Sequence, residues 1–367
     1  MTYQSLIAER ADLMARLAAI EAELLAATVA PMDFARTLSA CTGGETLILG
    51  DAAYGGLHLK MPNWRAPVTI IGGRLDDVEL IGVPGLCFAG TDIGYLDARN
   101  QKSDLTRRLR LQDARIGSAS LSYVQDFSIT NCAFDGGQFQ LVLAGCTDGV
   151  INRTKFSGWT EDAMRITRAS RHLLIEGNHW HDPSVNIPPG THSDMIQIFG
   201  RDGVGPSDIT IRRNVMRAQP RPRTEDQHQT QGFLVNNHTG GGFRNIVIEE
   251  NLIDAASVTV AVFDGLVEGC AFRRNTVLPL GRGGKIGQVR FVNSPGCVVE
   301  GNLAPLITDA SAGTALAATL RANIMWRRGI DPFVSPSGEL SDFLVRSDVS
   351  LPHDVGPDPE WIRSIAS

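Results

Sequence analysis

Asp162 precedes the run Ala163-Met164-Arg165-Ile166, Asp194 precedes Met195-Ile196-Gln197-Ile198, and Gln231 precedes Gly232-Phe233-Leu234-Val235. If these runs are neighbouring strands in register, the two carboxyl groups lie one strand spacing apart, about 4.8 Å. Carboxylates that close repel, so the pKa of one rises and the pair offers an acid beside an ionised partner. Such a pair suits a retaining glycosidase or a shared Ca²⁺ ion. His192, two residues before Asp194, adds a group able to act as a base or to hold a sugar hydroxyl. Arg165 and Gln197 form the next outward column. An Asp just before a strand also caps a turn, and strict alternation from Met164 and Ile166 points Asp162 inward, so a structural role stands beside the chemical one.

Two long polar segments, 179–194 and 217–231, flank these positions and are expected to form the walls of a groove, with 156–162 as its floor on one side. Trp159, Trp180, His181, Arg165, Gln197, Arg221, Arg223 and His228 are the candidate binding residues there. Indole faces stack on sugar rings, and guanidinium groups pair with uronates or other acidic substituents. His179 and His181 are i, i+2 and stand near His192 in sequence, but three histidines in one loop without a spaced ligand motif predict no resident metal. No cofactor is expected; Ca²⁺ between the carboxyls is the one ion the pattern admits.

The elements that hold these residues come from a repeat. Segments of the form aliphatic-x-x-Asn-x-apolar recur at Ile175 to Asn178, Ile211 to Asn214, Ile248 to Asn251, Phe272 to Asn275, Val299 to Asn302 and Leu320 to Asn323, with Ile129 to Cys132 and Ile151 to Thr154 keeping the frame without Asn. The equivalent positions are separated by 22, 24, 36, 37, 24, 27 and 21 residues. A period of this size marks a solenoid. Each unit holds a second short strand, such as 140–143, 164–166, 195–198, 232–235, 258–262 and 287–291. Two strands per unit, glycine corners and no room for a crossover helix exclude a doubly wound sheet and a TIM barrel and leave a parallel β-helix. The recurrent Asn is expected to stack on itself from coil to coil and to bond the neighbouring backbone, so it carries no chemistry.

The stretch Thr42-Gly43-Gly44-Glu45 through Leu59, followed by Pro67 through Gly73, resembles the opening coils of right-handed parallel β-helix proteins related to pectate lyases and alginate lyases. The resemblance covers roughly residues 31 to 330. It implies the fold more than the reaction, because this scaffold hosts lyases, glycosidases, epimerases and noncatalytic spikes. No lyase signature with a catalytic Lys in a calcium-bound cluster is present, and Lys60, Lys102, Lys155 and Lys285 lie away from the two loops. Hydrolysis or pure binding is therefore expected over elimination.

Outside the repeat, Thr2 to Ala27 fits a heptad with Tyr3, Arg10, Leu17 and Leu24 at a and Leu6, Leu13, Ile20 and Ala27 at d. The expected organisation is a helical coiled-coil stem over 1–28, a capping helix over 29–43, the parallel β-helix over 44–330 and an extended tail over 331–367, with Phe343, Leu351 and Trp361 as its anchors. A single amphipathic helix packed along its own solenoid is the other reading of the stem.

The 367 residues carry a formal net charge of −6, which gives no reason to expect a nucleic-acid partner. No apolar stretch approaches a membrane span, and no signal peptide is visible, so a soluble chain without an export signal is expected. The six scattered cysteines read as reduced core residues. Stem, β-helix and tail together are similar in plan to phage tailspikes. That resemblance implies a virion-associated homotrimer that binds bacterial surface polysaccharide, cleaves it in the catalytic case, and meets other virion proteins through its N-terminal helix. A free-standing polysaccharide lyase, hydrolase or epimerase and a noncatalytic spike stay open beside it.

Overall fold

The structure, a computed structural model, describes residues 28–309 except 101–104, 185, 188–191, 202, 219–229, 238–241, 256–258 and 279–287, together with scattered positions in 14–27 and with 319–321, 323–325, 355–356, 358–366. Its strands are paired in parallel from coil to coil. One face is a 14-stranded sheet that runs from Thr28–Val29 and Thr46–Leu49 through Thr147–Asn152 and Arg171–Glu176 to Thr319–Arg321. The second face carries Leu57–Lys60, Arg74–Ile81, Asp92–Arg99, Arg115–Ser122, Phe139–Ala144, Asp162–Thr167, Ser193–Phe199 and Thr230–Asn236, and continues to Ile307–Asp309. The chain is an all-β parallel β-helix.

From Ala133–Asp135 onward each coil carries a third strand that the two-strand reading of the sequence lacked. Lys155–Ser157, His179–Trp180, Val215–Arg217, Leu252–Asp254 and their successors follow the corner residue directly and pair with one another. At two or three residues they are too short to show a period in sequence.

Alternation puts every second side chain into the lumen. Leu80, Ala98, Leu121, Leu143, Ile166, Ile198, Val235, Phe263 and Phe291 form one register column, all fully buried. Each such side chain contributes roughly 1.5–3 kcal/mol, Ala98 less. On the third face Phe134, Phe156 and Trp180 stack at 5.0 and 4.9 Å with rings 7° from parallel. The sequence reading set Trp180 on a groove wall. It occupies the apolar position of the Asn178-x-apolar motif, so the period that identifies the repeat also turns it inward.

At the corner between first and third faces, one residue per coil adopts a left-handed conformation: Asn131, Arg153, Gly177, Arg213, Glu250, Arg274 and Gly301. A Cβ makes that conformation unfavourable by about 1 kcal/mol. The residue that follows turns into the lumen and offsets the strain. Asn178 Nδ2 donates to Asn214 Oδ1 (3.1 Å) and to Ile151 O (2.9 Å), and Asn178 N also donates to Asn214 Oδ1 (2.8 Å). The same pattern passes through Asn251, Asn275, Asn302 and Asn323, and Thr154 N donates to Asn178 Oδ1 (3.0 Å) at the other end. The stacked ladder expected from the sequence is present.

The ends differ from expectation. Pro31–Asp33 and Phe34–Ser39 form the cap, with Phe34 and Leu38 buried, but Thr28 and Val29 already pair with Ile48 and Leu49 as the first rung. The helical cap is thus shorter than 29–43, and the stem region ends at 27. Within 1–27 only Met14, Arg16, Ala19, Ile20, Glu23 and Ala27 are described; they are helical and exposed, and the rest of the expected stem lies outside the described residues. The tail is not simply extended: Pro359–Ala366 is an α-helix with Ile362 buried and Trp361 half-buried, and Gly356 N donates to Gly301 O at 2.8 Å. Phe343 and Leu351 lie outside the described residues. The six cysteines are unpaired, four of them buried, and no described helix is long and apolar enough to cross a membrane.

Asn251→Ala would remove the acceptor for both Asn214 N and Asn214 Nδ2 inside the lumen. Leaving two buried donors unpaired costs about 3 kcal/mol. Urea unfolding of the variant should show that loss; a change below about 0.5 kcal/mol would mean the ladder contributes little.

Candidate functional site

The site lies at the corner between third and second faces, where the insertions enter. His179–Trp180 pairs with Val215–Arg217 ahead of the insertions, and Ser193–Phe199 pairs with Thr230–Asn236 after them, so both loops leave the same corner of successive coils. Phe139, Asp162, Asp194 and Gln231 are consecutive register partners, and Arg165 pairs with Gln197, which pairs with Leu234. The alignment read from the sequence is the observed register.

The two carboxyls are enclosed, Asp162 at 1% exposure and Asp194 at 0%. Asp162 Oδ1 accepts from Asp194 N (3.0 Å), and its Oδ2 accepts from Arg165 Nε (2.6 Å). Arg165 also donates to Glu161 (2.8 Å), and its guanidinium lies 3.6 Å from the centroid of the Phe139 ring. Asp194 Oδ2 faces His192 Nδ1 at 3.0 Å, while its Oδ1 is buried without a partner among the described residues. The imidazole of His192 is 53% exposed, the most exposed side chain of the cluster, against 22% for Arg165 and 27% for Glu161.

Burial and the neighbouring Asp194 push the Asp162 carboxyl well above the ordinary range, and Arg165 opposes them. Burial also raises Asp194, against the opposing His192. Its hydrogen bond to Asp194 raises His192 in turn. These shifts fit a proton held at the cluster above the usual carboxylate range, with the imidazole as its route to solvent.

The other candidates are dispersed. Trp159 and Trp180 are both fully buried, which corrects their placement as exposed walls. Trp159 turns inward after the left-handed Gly158 and donates Nε1 to Ser193 Oγ at 3.2 Å, where Thr230 Oγ1 also bonds (3.3 Å). Gln197 is half-buried beside Arg165. His181 pairs with Asp182 at 2.9 Å and packs against His179 at 4.8 Å between ring centroids; burial lowers the His179 pKa to about 4. Among the described residues no group of His, Cys, Asp or Glu forms a metal-binding cluster. Arg221, Arg223 and His228 lie outside the described residues. Glu161, Ser193 and Phe139 were missed by the sequence reading; the first two are direct neighbours of Asp162 and Asp194, which was the available signal.

No family model matches the chain, and no curated protein matches it. Among solved structures it is similar to PfbA, a surface protein and adhesin of Streptococcus pneumoniae, at 9% identity and TM-score 0.47, over 76% of this chain and 85% of that one. A second PfbA structure aligns at 10% identity and TM-score 0.45, covering 78% and 74% of the two chains. The catalytic domain of a GH87 alpha-1,3-glucanase in complex with tetrasaccharides aligns at 11% identity and TM-score 0.32, covering 76% and 64%.

Raised carboxyl pKa values mean that the folded state binds more protons than the unfolded chain above the usual carboxylate range, so this cluster loses stability as pH rises toward the raised values. His192, also raised, acts in the same sense. His179 acts in the opposite sense between about 4 and its ordinary value. Comparing wild type with Asp194→Asn cancels the His179 contribution. The thermal midpoint of the variant should gain on wild type as pH rises from acid to neutral, and a difference that stays flat or shrinks would contradict the raised pair.

Proposed function

We propose that this protein is a virion-associated spike that binds bacterial surface polysaccharide along the insertion corner and cleaves it by general acid–base chemistry, with His192 as the group that meets the substrate. One observation carries the chemistry: an exposed imidazole is anchored through Nδ1 on a fully buried carboxylate, which fixes its tautomer and leaves Nε2 to act. Asp194 orients and charges the ring, while Asp162 and Arg165 hold Asp194 in place through its backbone and its field. In this geometry the carboxyls are positioning residues, and hydrolysis assisted by His192 replaces a carboxyl pair acting directly on the sugar. A straight corner repeating about every 4.8 Å suits a linear polymer laid along it.

The spike assignment draws on the stem expected over the N-terminal heptads, of which six positions are described and helical. Ile20, a d position of the heptad, is 53% exposed, and Met14 is 58% exposed. Apolar side chains displayed on a helix favour association with copies of the same chain, here a homotrimer, and with other virion proteins. A noncatalytic spike is the second reading, favoured by the fact that both Asp162 oxygens already accept internal hydrogen bonds.

His192→Ala should lower depolymerisation of a host surface polysaccharide by roughly 10²–10⁴-fold, a general acid–base contribution, in a variant shown by circular dichroism to be folded. Full activity in that variant would assign the cluster to structure. Light scattering should find a trimer for the full chain and a monomer after deletion of residues 1 to 27; a monomeric full chain would remove the spike assignment.

A further inference from the structure

Before the insertions begin, the same corner is open. Arg74–Ile81, Asp92–Arg99 and Arg115–Ser122 run unbroken around it, and their bends enclose a cleft of about 320 Å³. That volume falls in the range of small-ligand sites. Gly94 and Gly117 make its floor. A Cβ on Gly94 would come within 2.4 Å of Asp76 O, and one on Gly117 within 2.4 Å of Gly94 O, so the coil spacing demands glycine and leaves backbone open to a ligand.

Charges of both signs rim this floor. Arg74, Asp92 and Arg115 are consecutive register partners on one side, and Asp76 and Asp135 are the other charged residues of the lining. Arg115 approaches Asp135 only loosely, at 3.9 Å, and among the described residues no ion pair within 4.0 Å engages Arg74, Asp76 or Asp92. All five side chains are exposed. Asp135 also accepts from Ser157 Oγ at 3.4 Å, and the interleaved donors and acceptors of this rim match neighbouring hydroxyl groups, each of which both donates and accepts. The balance of three carboxylates to two guanidiniums disfavours a polyanion.

The cleft and the His192 cluster share one line. Gly94 and Gly117 lie at the bends of Asp92–Arg99 and Arg115–Ser122, whose strands pair onward, coil by coil, with Phe139–Ala144, Asp162–Thr167 and Ser193–Phe199 at the same corner. From Gly117 to Asp194 is three coil steps, about 14 Å. We propose that the glycine-floored cleft is a second saccharide subsite that binds neutral, hydroxyl-rich sugar units, so that a neutral polymer lies parallel to the solenoid axis with one part in the cleft and another at His192. This rests on the polysaccharide reading above and narrows it to neutral chains. The acidic balance of the cleft thereby argues against the uronates that Arg221 and Arg223 suggested in sequence.

The test is saturation-transfer NMR on the full chain with glucose, galactose, mannose, rhamnose and N-acetylglucosamine, with glucuronate as the anionic comparator. Three proteins are compared: wild type, the surface double variant Arg74→Ala/Arg115→Ala, and Asp162→Asn. Signal from at least one neutral sugar, reduced several-fold in the double variant and retained in Asp162→Asn, is the expected result. Signal retained in the double variant but lost in Asp162→Asn would return all binding to the His192 cluster, overturning the subsite while leaving the proposed function intact. Signal from glucuronate alone, or from none of the sugars, would overturn the subsite as well; the His192→Ala depolymerisation assay then decides the proposed function separately. Circular dichroism of the double variant checks that it is folded.

Discussion

The fold depends on how the chain turns a corner inside its own lumen. Every coil must bring a backbone segment into a space with no water, and its N–H and C=O groups need partners there. The column from Thr154 through Asn178, Asn214, Asn251, Asn275, Asn302 and Asn323 supplies them: each side-chain oxygen accepts from the coil before it, and each Asn Nδ2 also donates to a strand carbonyl. One acceptor thus binds two donors, so the contacts reinforce one another along the stack. Where the residue before the Asn is not glycine, as at Arg213, Glu250 and Arg274, its left-handed conformation is the strain this arrangement sustains. At Arg213, Glu250 and Arg274 the strained residues also pair across coils, with Arg213 Nε and Glu250 2.8 Å apart.

Fixing that corner frees another. Because the ladder and the lumen columns keep coils in register, chain length can vary at the corner between third and second faces without disturbing the stack. The early coils use the freedom to run strands straight through a glycine bend; the later ones insert long segments after His179–Trp180 and Val215–Arg217. Along this one corner the early coils carry Gly94 and Gly117, and the later coils carry the register partners Asp162 and Asp194. Geometry at this corner sets chemistry: an open bend exposes backbone and charge to solvent, whereas a covered bend encloses carboxyls and raises their pKa values.

The parts of this structure legible in the sequence were those with a period or a register. The Asn recurrence, the solenoid, the alignment of Asp162 with Asp194 and the location of both insertions at one corner all follow from spacing. What spacing could not show was direction at a bend. Asp162 had the parity of a lumen residue and sits enclosed at the corner, held by Arg165, a side chain first read as a substrate contact. Trp180 had the parity of the core and was nevertheless read as a wall, because its neighbours His179, His181 and Asp182 are polar; the local composition outweighed the repeat, and the repeat was the better guide. The third strands and the helix Pro359–Ala366 are set by tertiary pairing, which leaves no mark on a segment this short.

Enclosing two carboxyls and leaving an imidazole at the surface is an expensive arrangement if it serves only to shape a turn. An Asn at position 194 would still present an oxygen to His192 Nδ1 without the desolvation of a charge, and the chain uses Asn to bond backbone in the run of coils from Asn178 to Asn323 at its other corner. The contrast is internal to one molecule: where a polar group has only to bond backbone, it is neutral, as at Asn178 or Asn251; at the corner beneath the insertions it is ionisable and tied to Arg165 and His192. Ionisable groups add what an amide lacks, a proton that can be held and released. The raised His192 pKa couples that proton to the most exposed side chain of the cluster, which is the physical reason for proposing the imidazole, and not the carboxyls beneath it, as the group that would meet a substrate.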